Sequence, residues 1–229
     1  MLTVLLHALP FDARMWSEVD CQVNENVLVP DLFGLGGSIT DWAEAILAQA
    51  GSREMLVVGC SVGGSCALEL AQLAPKQVSG IVLIGAKASV RPDPVARDQA
   101  IRTLETQGLE QAWSAYWAPL FGASTDPEVL ASARELALSQ DVSHVVNGVR
   151  AFHDRSDLSE FAAAWSKPLV VVSGDQDRTP PVSAIHPLGR GPDRRLYLIE
   201  DCGHYVNLEQ PERLHSILGD VHELVTKRL

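Results

Sequence analysis

The sequence predicts an α/β fold, a mainly parallel sheet of about six strands with helices on both faces. Three observations carry that reading. Short apolar, β-branched runs alternate with helical stretches along the 229 residues, an order that makes right-handed βαβ crossovers and a sheet covered on both sides. One run, Leu56-Val57-Val58, passes without a linker into an Ala/Leu-rich helix through Gly59-Cys60-Ser61-Val62-Gly63. Two more apolar runs end in turns that carry acids and a histidine, Gly174-Asp175-Gln176-Asp177 and Cys202-Gly203-His204.

In chain order, strands are expected at 2–7, 26–31, 54–60, 78–85, 168–173 and 195–200, and helices near 40–50, 63–74 and 211–227. Leu2 to Leu6 is apolar but lacks a basic flank and a small-residue cleavage site, so it reads as a strand rather than a signal peptide. The run Leu169 to Val172 is bounded by Pro168 and stops at a glycine turn. Between about 87 and 164 there is no convincing β run. Three or four short helices are expected there, with breaks at Gly108, at Gly122 to Pro127 and at Asp141. Trp113, Tyr116, Trp117 and Phe121 fall at i, i+3, i+4 and i+8, which is one face of a helix. Most of these should be packing residues, with one or two lining a pocket; Trp113, Trp117 and Phe121 are the candidates.

Composition bounds the function. Hydrophobic content of 46% and a mean hydropathy of +0.07 describe an ordinary globule. The net charge of −11, from 18 Lys+Arg against 29 Asp+Glu, repels nucleic acid and anionic membranes as partners. No apolar run approaches the length of a bilayer span. Cys21, Cys60, Cys66 and Cys202 show no C-x-x-C spacing and are expected as reduced thiols in a cytoplasm.

The glycine-flanked junction at Ser61 is the most telling segment. Gly59 and Gly63 remove the side chains that would collide across a sharp strand-to-helix turn, and Ser61 is then held at an exposed tip at a helix N-terminus. A packing turn or phosphate loop is the rival reading, but neither G-x-x-x-x-G-K-[ST] nor G-x-G-x-x-G occurs there. Serine needs a base, and the base needs an orienting carboxylate. Both follow downstream in the order Ser, Asp, His: Asp177 (with Asp175 competing) and then His204. Each lies just past the end of an expected strand, where residues of an open parallel sheet converge.

These motifs, with Leu5-Leu6-His7-Ala8-Leu9-Pro10 and Asp31-Leu32-Phe33-Gly34-Leu35-Gly36-Gly37-Ser38, make the chain resemble the α/β-hydrolase fold family over nearly its whole length, in particular small bacterial carboxylesterases and enol-lactone hydrolases. The resemblance implies a core of residues 1–86 and 165–229 that lacks the usual N-terminal hairpin, and a helical cap at 87–164. It implies a catalytic triad of Ser61, Asp177 and His204, with Asp177 favoured over Asp175. It also implies an oxyanion hole of backbone N–H groups from Val62 and the His7–Pro10 loop. Pro10 has no N–H, so Leu9 is the candidate and Ala8 the reserve. Ala8 stands where the family usually has glycine. His7 is expected to brace its loop, and Cys60 to be a small apolar residue beneath the elbow. His215 and His222 form no H-E-x-x-H pattern, and His144, His153 and His186 have no evident partner. No metal or cofactor is called for. The expected activity is cleavage of a small carboxylic ester or lactone. The rivals are thioester, carbon–carbon, peracid or lyase chemistry on the same triad, or a non-catalytic small-molecule binder.

Overall fold

The computed structural model describes residues 1–19, 26–180, 182–185 and 187–227; Cys21 and His186 lie outside them. Six strands form one sheet: β1 (Leu2–Leu6), β2 (Val27–Leu28), β3 (Met55–Cys60), β4 (Val78–Ile84), β5 (Leu169–Gly174) and β6 (Arg194–Ile199). Their order is β2-β1-β3-β4-β5-β6 and every neighbouring pair is parallel. All residues of β3, β4 and β5 are buried, which is why those segments read as continuous apolar runs without alternation. The edge strands differ. β6 keeps only Ile199 fully buried. β2 is far shorter than its apolar stretch suggests, because Pro30 cannot donate to a ladder and the chain leaves the edge before it.

The helices are α1 (Ile39–Ala50), α2 (Val62–Leu73), α3 (Pro94–Ala112), α4 (Pro127–Leu138), α5 (Val142–His153), α6 (Ser159–Ala164), α7 (Val182–Ile185), α8 (Val206–Glu209) and α9 (Pro211–Thr226). α1 opens with a capping box: the Asp41 N–H donates to Ser38 Oγ at 3.1 Å, and the Ser38 N–H donates back to Asp41 Oδ2 at 2.9 Å. Between β4 and β5 the regular structure is all helical, from α3 to α6. Three of these helices start on an aspartate that accepts a first-turn N–H: Asp93, Asp126 and Asp141. Gly108 breaks α3 with φ of 80°.

The aromatic stripe does not survive as one face. Trp113–Trp117 winds as a π-helical turn, Ala118–Leu120 as a 3-10 turn, and Phe121 is extended. The change of pitch moves Trp113 and Phe121 away from Trp117. Phe11 packs edge-on against Trp113 and Tyr205, and Phe121 lies against the same two rings.

The sheet has its switch point between β1 and β3, since the chain turns to opposite sides after these two strands. The loops that diverge there carry His7–Leu9 and Ser61. The elbow is pressed onto its neighbours at backbone level. A Cβ on Gly63 would lie 2.3 Å from the Leu6 carbonyl oxygen, and one on Gly59 would lie 2.2 Å from the Gly63 carbonyl oxygen. We expect Gly63→Ala to destabilise by about 3 kcal/mol, because backbone cannot yield as a side chain can, and to lower the Tm by roughly 6–12 °C. Gly219→Ala, in α9 with nothing within 4 Å of its added Cβ, should instead raise stability by roughly 0.5–1 kcal/mol. Thermal denaturation checks both; an unchanged Tm in Gly63→Ala would mean the elbow is not held by this contact.

Candidate active site

Ser61 joins β3 to α2 with φ 52° and ψ −114°, a conformation that non-glycine residues seldom adopt and that must be held by its surroundings. Its N–H donates to the Ile84 carbonyl at 2.8 Å and its carbonyl accepts from the Gly64 N–H at 3.0 Å. Cys60 and Val62 on either side are fully buried, whereas Ser61 is partly exposed. The turn therefore lifts the hydroxyl out of the core. The Cys60 thiol is pushed well above its ordinary pKa, by burial first and then by the nearby Asp177 carboxylate, so it is held as an inert thiol.

His204 follows β6 through a turn in which Asp201 has φ of 54°. Its N–H donates to the Leu120 carbonyl at 2.8 Å. Its ring Nδ1 lies 2.8 Å from Asp177 Oδ2, both side chains being 3% exposed or less. The other oxygen of Asp177 accepts the Thr179 N–H at 2.7 Å. A carboxylate only accepts, so Nδ1 carries the proton and Nε2 is left as the basic nitrogen. Asp175 is exposed and its Oδ1 accepts instead from the Cys202 N–H at 3.3 Å. Of the two aspartates, Asp177 is the one paired with His204.

Ser61 and His204 line one cavity of about 280 Å³ together with Leu9, Tyr116, Trp117 and Phe152. No Ser61–His204 hydrogen bond is formed among the described residues. Trp113 and Phe121, grouped with Trp117 in the sequence, are not in the cavity lining; the pitch change in their segment turns them to the Phe11 and Tyr205 rings. Tyr116 takes a place in the wall instead, its hydroxyl 3.1 Å from Thr103 Oγ1. His153 is also in the wall, and burial, followed by the Arg155 charge, holds its pKa below the ordinary value.

The His7–Pro10 loop is fixed from several sides. The Leu32 N–H donates to His7 Nε2 at 2.8 Å, which leaves the proton on Nδ1, 3.3 Å from the Ala8 carbonyl. The Ala8 N–H is taken by Met15 Sδ at 3.1 Å. The N–H groups of Leu9 and Val62 have no acceptor among the described residues.

Two further residues bind this region together, and sequence reasoning passed over both. Tyr205 donates its hydroxyl to the Leu9 carbonyl at 3.0 Å, and burial raises its pKa far enough to keep it a donor. Glu209 accepts the Gly122 N–H at 2.8 Å, the Thr125 hydroxyl at 2.6 Å and the Gly203 N–H at 3.0 Å on one oxygen, and the Tyr205 N–H at 3.2 Å on the other. The available signal was position: Tyr205 directly follows His204, and Glu209 sits in the last turn before Pro211.

The alpha/beta hydrolase family profile matches residues 3–217. The chain is 26% identical to the pimeloyl-(acyl-carrier protein) methyl ester esterase of Aromatoleum aromaticum, with 95% of this chain and 96% of that protein covered. It is 27% identical to the biotin biosynthesis bifunctional protein BioHC of Cellvibrio japonicus, where 96% of this chain matches 47% of that protein, about half its length. A thermophilic esterase from Thermogutta terrifontis, solved with malate bound, matches with a TM-score of 0.87 at 25% identity, covering 98% of this chain and 90% of that one. On the profile match, the chain belongs to the alpha/beta hydrolase family.

Proposed function

We propose that this chain is a serine hydrolase of small carboxylic esters or lactones in which Ser61 attacks, His204 moves the protons and Asp177 orients the imidazole. The observation that carries this reading is the buried His204–Asp177 hydrogen bond of 2.8 Å beside a cavity that Ser61 and His204 both line. Esterase relatives matched over nearly the full chain support the choice of leaving group.

In this reading Ser61 Oγ attacks the carbonyl carbon as its proton passes to His204 Nε2. The tetrahedral oxyanion is met by the N–H groups of Leu9 and Val62, and the α2 N-terminus adds a favourable dipole. The proton on Nε2 goes to the leaving oxygen, which leaves an acyl ester on Ser61. Water, deprotonated by the same nitrogen, then hydrolyses that ester. Asp177 holds the tautomer and balances the imidazolium charge. The engagement of Ala8 by Met15 supports Leu9 over Ala8 as the loop donor.

Residues 1–86 and 165–229 act as the catalytic core and 87–164 as its roof. Support for that division comes from the cavity wall, where Ala96, Tyr116, Trp117 and Phe152 face Ser61 and His204. Trp117 is the pocket residue retained from the aromatic stripe. The three described cysteines are free and buried, consistent with action in a reducing cytoplasm. The substrate is a small molecule; none of the described helices is long and apolar enough to cross a membrane.

A fluorophosphonate probe should label the wild type and not Ser61→Ala; labelling that persists would remove Ser61 as nucleophile. On p-nitrophenyl esters, His204→Ala should lose about 10⁶ in kcat and Asp177→Asn about 10⁴. Asp175→Asn should stay near wild type, and a reversal of the two aspartates would reassign the acid. Glu209→Gln should lower kcat about a hundredfold through displacement of the His204 loop, with labelling of Ser61 retained. Undiminished kcat would show that this carboxylate does not position the base.

A further inference from the structure

The proposed catalytic pair borders a second space of different character. Besides the large apolar cavity, Ser61 and His204 line a cleft of about 30 Å³ whose wall also includes Ser65, Lys87 and Arg155. A water molecule needs only about 10–15 Å³, so the cleft has room for one compact polar group. Among the described residues its wall holds Lys87 and Arg155 and no carboxylate.

Those cations are set apart by their place beside Ser61 and His204. Five lysines and arginines among the described residues form ion pairs: Arg14 with Asp12, Arg97 with Asp98 and Asp154, Arg134 with Glu110, Arg150 with Glu105, and Lys227 with Glu223. With 29 acids against 18 lysines and arginines, partners are not scarce. Yet neither Lys87 nor Arg155 forms an ion pair with a described residue. Arg155 donates from Nη1 to the Phe152 carbonyl and stacks 3.9 Å from the Phe152 ring. That arrangement fixes the guanidinium plane but leaves the rest of its fork of donors unused. Burial lowers its pKa to about 10, so it stays charged at neutral pH while partly stripped of water. Glu69 borders the adjoining cleft, beyond ion-pair distance of both cations, and its Oε1 accepts the Thr40 hydroxyl at 3.0 Å. Asp157, the nearby acid that acts on Arg155, is spent on the N–H groups of Val90 and Ser159.

A guanidinium fork fixed on Phe152 beside a lysine ammonium, around a space of this size, matches a carboxylate. The large cavity offers the opposite environment: an apolar wall in which, among the described residues, the titratable side chains besides His204 are Tyr116, Tyr205 and a His153 held toward its neutral form. We propose that the small cleft between Lys87 and Arg155 binds a substrate carboxylate, so that the enzyme acts on mono-anionic esters whose free acid lies a few bonds from the scissile carbonyl and whose uncharged part fills the apolar cavity. The proposal rests on the serine-hydrolase reading for its chemistry, but its binding step does not need Ser61 to react.

Two measurements separate the two claims. Hydrolysis of monomethyl succinate and of methyl butyrate, followed by pH-stat, should give a kcat/KM at least about tenfold higher for the acid, the size of one charge-assisted hydrogen bond. Lys87→Gln and Arg155→Gln should each lower kcat/KM for monomethyl succinate far more than for methyl butyrate, mainly through KM. Titration calorimetry of succinate should show binding to wild type and to Ser61→Ala, and its loss in Lys87→Gln, which spares the Arg155–Phe152 packing should Arg155→Gln fail to fold. Equal kcat/KM for the two esters, equal losses in the variants, or no succinate binding by the wild type would overturn the carboxylate site. Succinate binding without turnover of either ester would uphold the site and count against the hydrolase reading.

Discussion

The structure depends on how closely the first turn of α2 approaches the end of β1. Backbone at Gly63 lies where any side chain would run into the Leu6 carbonyl, and Gly59 and Gly63 face each other with the same tightness across the elbow. That approach forces the chain to reverse direction within one residue, and Ser61 takes the positive φ that results. The strain falls on a residue whose neighbours are wholly buried and whose N–H is tied to β4. Core packing and backbone hydrogen bonds outweigh a local cost of order 1–3 kcal/mol, and they leave one hydroxyl standing clear of the sheet.

Around that hydroxyl the remaining groups are held by buried polar contacts rather than by regular structure. Asp177 has one oxygen on Thr179 and the other on His204, which leaves the imidazole little rotational freedom. Glu209 joins the His204 loop to the Gly122–Thr125 turn of the helical region, and His204 itself donates to Leu120. The wall of the apolar cavity and the imidazole are thereby one piece on that side. Tyr205 extends the same connection to Leu9. A hydrogen-bonded network of this kind, buried at His204–Asp177 and Tyr205–Leu9 and half-buried at Glu209, specifies geometry because each buried member would cost free energy if left unpaired.

Much of this was legible in the sequence for identifiable reasons. β3, β4 and β5 are buried on both faces, so their sequences are uninterrupted apolar runs that need no context to read. The elbow is legible because only glycine fits at two positions, Gly59 and Gly63, with three residues between them. His204 and Asp177 are legible as turn residues beyond strand ends, although the choice between Asp177 and Asp175 turns on a side-chain contact that spacing cannot give. Trp113 and Phe121 fall outside the cavity because the periodicity of the stripe assumes an α-helix, whereas the chain changes pitch at Trp113 and again at Ala118. Glu209 and Tyr205 are not legible because most of their partners are backbone groups, among them Gly122 and Leu9 far away in sequence, and backbone carries no residue signature. Lys87 and Arg155 belong to no motif, and only the folded chain brings them to one cleft beside Ser61.

The most direct test of the account is a crystal structure of the enzyme after reaction with a phosphonate ester. The phosphorus should be bonded to Ser61 Oγ, with its oxyanion roughly 2.7–3.1 Å from the N–H groups of Leu9 and Val62 and His204 Nε2 facing the leaving-group side. A phosphorus on another residue, or an oxyanion turned away from both N–H groups, would contradict it.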